Sequence, residues 1–188
     1  ESCPSSDGAC AVVITDEEGG EAAAADGRPP AWILATSSRS EPPAFPGRDP
    51  VRPQACLTCV DDVYRQAGIT HPREQIDMSE LYVTFSWHEP MWLEAHRLAD
   101  EGEGWKLVDD GSTEIGGSMP INCSGGVLSS NPIGASGLLR FAEAALQVRG
   151  AAGDHLVDGA MVALAQAYGA ISQYFSIWIV ASSLQPIG

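Results

Sequence analysis

Four glycines lie close together in residues 122–137, NCSGGVLSSNPIGASG, and most of the residues around them are small. Glycine lets a backbone pass close to another backbone or to a ligand, and it adopts φ values that side chains forbid. Asn131 lies within this stretch, and an asparagine amide can donate a hydrogen bond to an oxyanion although it cannot shuttle a proton. An apolar helix is predicted to follow. The stretch therefore predicts a loop at a strand-to-helix junction, where ligands tend to bind.

This glycine-rich loop and three further segments resemble the thiolase superfamily. The loop is similar to the family signature Asn-x-x-Gly-Gly followed by Gly-His-Pro-x-Gly-Ala-Ser/Thr-Gly. Residues 5–14 resemble the Ser-Asp-Gly-Ala-Ala-Ala strand that opens the second half of a thiolase. Residues 81–95 are similar to the His-Asp-x-Phe segment of sterol-carrier-protein-type thiolases, and residues 141–169 are similar to the family's C-terminal segment. The chain is identified as a member of this superfamily, most similar to bacterial lipid-transfer thiolase-like proteins and sterol side-chain aldolases.

The resemblance implies an α/β fold that corresponds to the C-terminal half of a thiolase. In this fold a mixed five-stranded sheet carries helices on both faces, and residues 1–188 form one domain. Strands that alternate with helices along the chain favour the same layered architecture. A proline-rich stretch, residues 38–53, is predicted to be a connecting loop, and residues 101–117 an acidic, glycine-rich surface loop.

Apolar periodicity and turn residues predict the individual elements. An acidic turn is expected at residues 16–21. Strands are predicted over residues 9–15, 32–36, 76–83, 119–123, 161–168 and 174–182. Helices are predicted over residues 54–67, 88–100 and 135–150, the first of them ended by Gly68.

By resemblance, a thiolase needs a nucleophilic cysteine from its first half, a second acid/base that is often a cysteine near the C-terminus, and histidine or asparagine groups that hold the thioester oxygens. This chain has Asn131 in place of the histidine of the glycine-rich loop and Tyr82 in place of the other histidine. The C-terminal turn contains Tyr168 and no cysteine. A tyrosine can donate or accept a proton if its site lowers a pKa that is ordinarily near 10.

Three such replacements disfavour ordinary thiolysis. They resemble sterol side-chain aldolases, which replace the histidines with tyrosines and cleave β-hydroxyacyl thioesters, although Asn131 stands where the second tyrosine is expected. The predicted function is part of an acyl-CoA-processing enzyme that cleaves or forms a C–C bond next to a thioester, in lipid or sterol side-chain breakdown. The alternative is a catalytically inactive thiolase-like scaffold or lipid-binding subunit.

Each candidate catalytic residue also has a structural interpretation. Tyr82 could be an aromatic residue at a strand end, and Asn131 could serve only the turn before Pro132, because Asn-Pro initiates turns readily. Tyr168 lies on an apolar strand pair, which is typical of a core aromatic residue. His88 is the only imidazole near Tyr82, but a residue in the first turn of a helix is more often solvated.

The resemblance implies that coenzyme A enters as part of the thioester substrate and that no cofactor is bound tightly. The pantetheine arm is expected to pass the Ala-Ser-Gly stretch, which contains the predicted ligand-binding residues Gly134, Ala135, Ser136 and Gly137. The net charge of −15 disfavours binding to nucleic acid and to membrane surfaces, because phosphate contacts need cationic side chains.

The five cysteines have no disulfide-like spacing, which predicts a cytoplasmic protein. Cys56-x-x-Cys59 lies in a predicted amphipathic helix without a second ligand pair, so a metal site is not expected. No apolar run approaches the roughly 20 residues of a membrane span.

The resemblance also predicts partners. A first thiolase half, on the same or a separate chain, is expected to pair with this one, and two such units to form a dimer. Whether the sequence is a fragment or a naturally split subunit stays open. The predicted helix after the glycine-rich loop supports pairing, because five of its apolar residues recur at helical spacing and need cover from solvent: Leu138, Leu139, Ala142, Ala145 and Leu146. A small zinc-ribbon and OB-fold protein is a further partner of related lipid-thiolases and aldolases.

Overall fold

The computed structural model describes residues 1–43, 47–185 and 187. Eight elements are present up to the glycine-rich loop: α1 (Glu17–Ala25), β1 (Trp32–Ser40), α2 (Gln54–Ala67), α3 (Pro72–Gln75), β2 (Met78–Glu80), α4 (His88–Ala95), α5 (Gly104–Asp109) and α6 (Gly126–Ser129). Three more follow: α7 (Ile133–Val148), β3 (Val162–Gly169) and β4 (Tyr174–Ala181), with a 3-10 turn at Gly153–His155 between α7 and β3. No helix in the described part of the chain is long and apolar enough to cross a membrane.

The sheet is mixed, with strand order β1-β4-β3-β2. β4 is antiparallel to both of its neighbours, whereas β2 runs parallel to β3. Helices cover both faces, as predicted: α2 packs on β1 and β4, and α7 packs on β2 and β3. Along β3, Leu164 belongs to the core cluster under α2, and its neighbours Ala163 and Ala165 belong to the cluster under α7. A strand buried on both faces needs apolar residues at successive positions, which explains the continuous apolar run of β3.

The described residues form four strands rather than five. The predicted strand over residues 119–123 is reduced to one parallel bridge between Ile121 and Ser79. Pro120 has no N–H to donate, and Asn122 has a φ of 53°, which turns the chain away from the strand direction. The predicted strand 76–83 keeps only Met78–Glu80, and the residues that follow, including Tyr82, have no regular secondary structure.

The predicted strand over residues 9–15 is absent, and its apolar residues Val13 and Ile14 are 97% and 71% exposed. No strand of the described residues pairs with this segment, so its alternating pattern cannot form a ladder. The predicted acidic turn that follows is wrong as well, because α1 begins there. Asp16 caps that helix by accepting a hydrogen bond from the backbone N–H of Gly19 at 3.0 Å.

Helix α2 matches its prediction residue for residue and ends at Gly68, whose φ is 72°. Cys56 and Cys59 are fully buried among apolar side chains of the α2 cluster. Helix α4 begins at His88 as predicted but ends at Ala95, before the left-handed Arg97. The predicted loop 101–117 contains α5. The predicted loop 38–53 overlaps the end of β1, and its residues 44–46 lie outside the described residues.

Candidate active site

The turn before α7 brings Asn131 against Tyr82, which lies two residues after β2. Tyr82 donates a hydrogen bond from its hydroxyl to Asn131 Oδ1 at 3.2 Å, and both residues are buried. The backbone N–H of Tyr82 is bound by Gln166 Oε1 of β3 at 2.8 Å. Two residues that are 49 positions apart in sequence therefore share one polar contact.

The amide of Asn131 is held by three partners in this arrangement. Its Oδ1 also accepts a hydrogen bond from Ser136 Oγ at 2.7 Å, and its Nδ2 donates to Cys3 Sγ at 3.1 Å. Asn131 therefore presents its carbonyl oxygen to Tyr82, and its N–H donor points to Cys3. One of the two amide N–H donors that were expected to serve an oxyanion is therefore engaged by the N-terminal segment.

A second polar chain links Tyr168, at the C-terminal end of β3, to α4. The hydroxyls of Tyr168 and Thr84 are 2.5 Å apart, and Thr84 Oγ1 lies 3.0 Å from His88 Nδ1. Tyr168 itself lies 3.4 Å from the same nitrogen. The rings of Tyr82 and Tyr168 are in edge-to-face contact, with centroids 5.1 Å apart. All four predicted catalytic residues therefore belong to one cluster.

His88 is 4% exposed, so the interpretation of this residue as solvated is wrong. Its ring packs among those of Phe85, Trp87 and Trp92. The side chain of His88 points inward at the start of α4, and aromatic residues on both sides cover its ring from solvent. The only exposed members of this aromatic group are Phe85 and Trp87, whose rings stack in parallel.

Burial sets the protonation states of the cluster. It raises the pKa of Tyr168 to about 12, against a lowering by the hydrogen bond to Thr84. It also raises the pKa of Tyr82, against a lowering by the nearby hydroxyl of Ser136. Burial lowers the pKa of His88 to about 4. At neutral pH the two phenols and the imidazole are therefore all uncharged, because burial disfavours the charged form of each group.

Two of the four predicted ligand-binding residues line a cleft, and the other two face the interior of the protein. Gly134 and Ala135 line a cleft of about 590 Å³ between residues 5–10 and the start of α7. Ser136 is buried and donates to Asn131, so its side chain faces the tyrosines. Gly137 faces β3, where an added Cβ would lie 2.8 Å from the Cβ of Ala167.

Two residues of the cluster escaped the sequence analysis. Thr84 had a usable signal, because residues i and i+2 of an extended segment lie on the same side, and Tyr82 precedes it by two. Cys3 had none, because its contact with Asn131 depends on the path of the N-terminal segment. That path is held by the backbone bond from Cys3 N–H to the Thr84 carbonyl at 2.8 Å.

Known proteins share this architecture. The family model described as "Thiolase C-terminal domain-like" matches residues 44–182. Sterol carrier protein 2 of Homo sapiens is 36% identical over 176 residues, which cover 86% of this chain and 30% of that protein. An acetyl-CoA acetyltransferase of Methanothermobacter thermautotrophicus is 32% identical over 168 residues, which cover 88% of this chain and 43% of the relative.

Among solved structures, one described as "Ltp2-ChsH2(DUF35) aldolase" superposes with a TM-score of 0.70 at 24% identity, over 81% of this chain and 40% of that chain. At this level of identity the likeness shows the fold alone. The chain spans less than half the length of each of these proteins.

Proposed function

We infer the function of this chain from its family: it belongs to the thiolase superfamily, as a C-terminal domain. We propose that it forms the C-terminal half of an acyl-CoA-processing unit that cleaves or forms a C–C bond next to a thioester, and that the reaction is of the retro-aldol type. One observation carries this proposal. Two tyrosines, Tyr82 and Tyr168, meet in one buried cluster beside the glycine-rich loop, at positions where the superfamily has other acid/base residues.

Retro-aldol cleavage of a β-hydroxyacyl thioester needs one base and one acid. The base removes the proton of the β-hydroxyl group, and the bond between the α and β carbons breaks. Its electron pair moves to the thioester enolate, and the acid then protonates the α carbon. The products are a carbonyl compound and a shortened acyl thioester. No oxidant, reductant or nucleophilic cysteine takes part, so side chains of the kind found here are sufficient.

The surroundings of the two tyrosines favour different roles. The hydroxyl of Tyr168 is linked through Thr84 to His88, whose imidazole can take up a proton. The hydroxyl of Tyr82 is bound to the amide oxygen of Asn131, which cannot. Both phenols are protonated at neutral pH, so we assign Tyr82 as the acid and Tyr168 as the relay through which the β-hydroxyl proton passes, by way of Thr84, to the neutral imidazole of His88. His88 and Thr84 act through Tyr168, and Asn131 orients Tyr82.

Thiolysis fits the described cysteines less well. Cys123 lies in the glycine-rich loop, but burial and the charge of Glu80 raise its pKa to about 11, so it is a poor source of thiolate at neutral pH. Cys56 and Cys59 lie in the core, remote from solvent. By resemblance, the nucleophilic cysteine of thiolysis would come from the other half.

A catalytically inactive scaffold or lipid-binding subunit is the second candidate. The observation in its favour is the amide of Asn131, which stands in place of a catalytic histidine and is committed to Tyr82, Ser136 and Cys3. Such an amide cannot shuttle a proton as a histidine can. A protein of this kind would bind acyl-CoA or lipid without turnover.

The proposed unit includes a first thiolase half, on the same or a separate chain. The exposed apolar residues Val13 and Ile14 support this, because their segment has a strand pattern and no strand partner. The residues of α7 that were predicted to need cover, Leu138 among them, form the less buried side of that helix. Pairing of two units as a dimer is part of the same proposal.

A separate zinc-ribbon and OB-fold partner is a further element of the proposal, supported by the two-component description of the Ltp2-ChsH2(DUF35) aldolase. Steroid or lipid side chains are the proposed substrates, as the likeness to sterol carrier protein 2 favours. The five free cysteines favour the cytoplasm.

The test is turnover by the complete protein, with both halves present, on β-hydroxyacyl-CoA and on β-ketoacyl-CoA with free coenzyme A. We expect release of a carbonyl compound from the former only. Tyr168→Phe and Tyr82→Phe should each lower kcat by about 10²–10⁴-fold, the usual contribution of general acid–base groups. Tyr174→Phe is the matched control, because Tyr174 is half exposed on β4 and should leave kcat unchanged. Acyl-CoA binding without turnover of either substrate would favour the scaffold instead.

A further inference from the structure

A buried ion pair joins α7 to β2 beneath the glycine-rich loop. Arg140 of α7 and Glu80 of β2 are 60 residues apart in sequence and form a salt bridge through Arg140 Nη1 and Glu80 Oε2. Glu80 is 0% and Arg140 4% exposed. An isolated charge in such a place would be very costly, so each residue depends on the other for its burial. Arg140 and Glu143 are the two charged residues of the mostly apolar helix sequence GLLRFAEAAL, a signal that the sequence analysis did not use.

Ser124 of the glycine-rich loop completes this cluster. Its hydroxyl donates to Glu80 Oε2 at 2.9 Å and accepts from Arg140 Nη1 at 2.9 Å, and its backbone N–H donates to Glu80 Oε1 at 3.3 Å. Asn122, which has a left-handed φ of 53°, accepts a hydrogen bond on its Oδ1 from the backbone N–H of Leu81 at 2.7 Å. The loop is therefore bound at two points to the short segment that ends in Tyr82.

The cluster lies beside Tyr82, because Glu80 precedes Tyr82 by two residues. Arg140 follows Ser136 by one helical turn, and Ser136 and Tyr82 bind the same amide oxygen of Asn131. The guanidinium of Arg140 lowers the pKa of Tyr82, against the larger raising by burial. The other ionisable groups that act on Tyr82 are Cys3 of the N-terminal segment and Tyr168 of β3. Glu80 compensates the charge of Arg140, and burial raises the pKa of Glu80 against the lowering by Arg140 and Ser124.

We propose that Glu80, Arg140 and Ser124 are positioning residues for Tyr82, which fix the glycine-rich loop against the end of β2 and set the charge that the phenol experiences. The cluster has two separable effects. The salt bridge sets the charge, whereas the Ser124 hydroxyl attaches the loop. The proposal rests on the proposed function in naming Tyr82 as an acid, but the effect on Tyr82 can be measured without any turnover.

The first experiment follows the ionisation of Tyr82 in the complete protein by NMR of ¹³Cζ-labelled tyrosine, with the resonance assigned by Tyr82→Phe. Glu80→Gln leaves Arg140 uncompensated, so the pKa of Tyr82 should fall by at least half a unit. Arg140→Met removes the positive charge, so the pKa of Tyr82 should rise by at least as much. If the ion pair served stability alone, the pKa of Tyr82 would move in the same direction in both variants or in neither. Either result overturns the proposal.

Controls separate charge from folding. Glu94→Gln removes one carboxylate from a half-buried position of α4 that accepts a hydrogen bond from the backbone N–H of Gly104, and it should leave the pKa of Tyr82 unchanged. Arg140→Lys keeps the charge and should restore the pKa of Tyr82 to within about a quarter unit. If Glu80→Gln does not fold, Arg140→Met and Arg140→Lys still give the comparison, and equal pKa values of Tyr82 in these two would refute the charge effect.

The second experiment tests the attachment of the loop. Ser124→Ala keeps both charges, so the pKa of Tyr82 should stay within about a quarter unit of the wild type. The amides of residues 122–126 should exchange with deuterium at least fivefold faster. Unchanged exchange in Ser124→Ala would show that the loop does not depend on this cluster. If the pKa and exchange measurements come out as expected but the complete wild-type protein turns over no substrate, the result would count against the proposed function instead.

Discussion

The close approach of α7 to β3 at Gly137 gives a prediction whose size can be worked out from the structure. An alanine Cβ at this position would lie 2.8 Å from the Cβ of Ala167, whereas non-bonded carbon atoms prefer about 3.5–4.0 Å. Alanine gains about 1 kcal/mol over glycine in a helix interior. Overpacking of a close contact costs about 1–3 kcal/mol. Gly137→Ala should therefore change the free energy of unfolding by between about 0 and −2 kcal/mol.

Gly134 supplies a matched control in the same helix. An added Cβ there meets no atom within 4 Å, so Gly134→Ala should keep the gain in helix propensity and stabilise the protein by up to about 1 kcal/mol. The two variants make the same chemical change, and we expect their free energies of unfolding to differ by about 1–3 kcal/mol. Urea unfolding, followed by tryptophan fluorescence and circular dichroism, measures this difference directly.

A double-mutant cycle locates the cause. Ala167→Gly removes the atom that an alanine at position 137 would strike, so combining the two changes should recover about 1 kcal/mol relative to the sum of the single effects. Equal stability of Gly137→Ala and Gly134→Ala would refute the reasoning, because α7 would then be free to move away from β3. Independent, additive effects in the cycle would show that the cost arises elsewhere.

Two further predictions concern acid and assembly. Burial lowers the pKa of His96 to about 4, below the ordinary value near 6.5, so the folded state binds fewer protons than the unfolded state between these values. His96 alone should contribute a fall of up to about 3 kcal/mol in the free energy of unfolding as pH drops from 6.5 to 4, and urea unfolding of His96→Gln should show a smaller total fall. Val13 is almost fully exposed, so Val13→Asp should leave the stability of this chain within about 0.5 kcal/mol. It should weaken binding to the first half at least tenfold by calorimetry, and unchanged affinity would remove this segment from the proposed interface.

Long elements with a strong apolar pattern were predictable from the sequence. Helix α2 and the β3–β4 pair bury residues at regular spacing, and the structure forms them within a few residues of the predicted bounds. Residues 9–15 have an equally good strand pattern and form none, because a strand requires a partner that periodicity cannot supply. Local pattern reports which side of a segment is apolar, whereas pairing depends on the rest of the fold.

The candidate site was likewise predictable only in part. The resemblance identified Tyr82, Asn131 and Tyr168, and His88 was added because it is the imidazole near Tyr82. These four residues do lie together. It could not show that the Asn131 carbonyl would face Tyr82, because that depends on Cys3 and Ser136. The Glu80–Arg140 pair was missed because its partners are 60 residues apart in sequence. Contacts of this kind are set by tertiary packing and leave little trace in spacing.

The position of β4 has a consequence for how the protein is made. β4 is the last strand along the described chain, yet it lies between β1 and β3, and the Ser38–Ser176 contact of the β1–β4 pair joins residues 138 positions apart. β1 therefore emerges from the ribosome long before its only neighbour in this sheet has been synthesised. Pairings between distant parts of a chain form slowly, because their loop-closure entropy must be met first. During translation β1 has an unpaired edge that needs protection, and Tyr82 and Tyr168 come together only after synthesis of the domain is essentially complete.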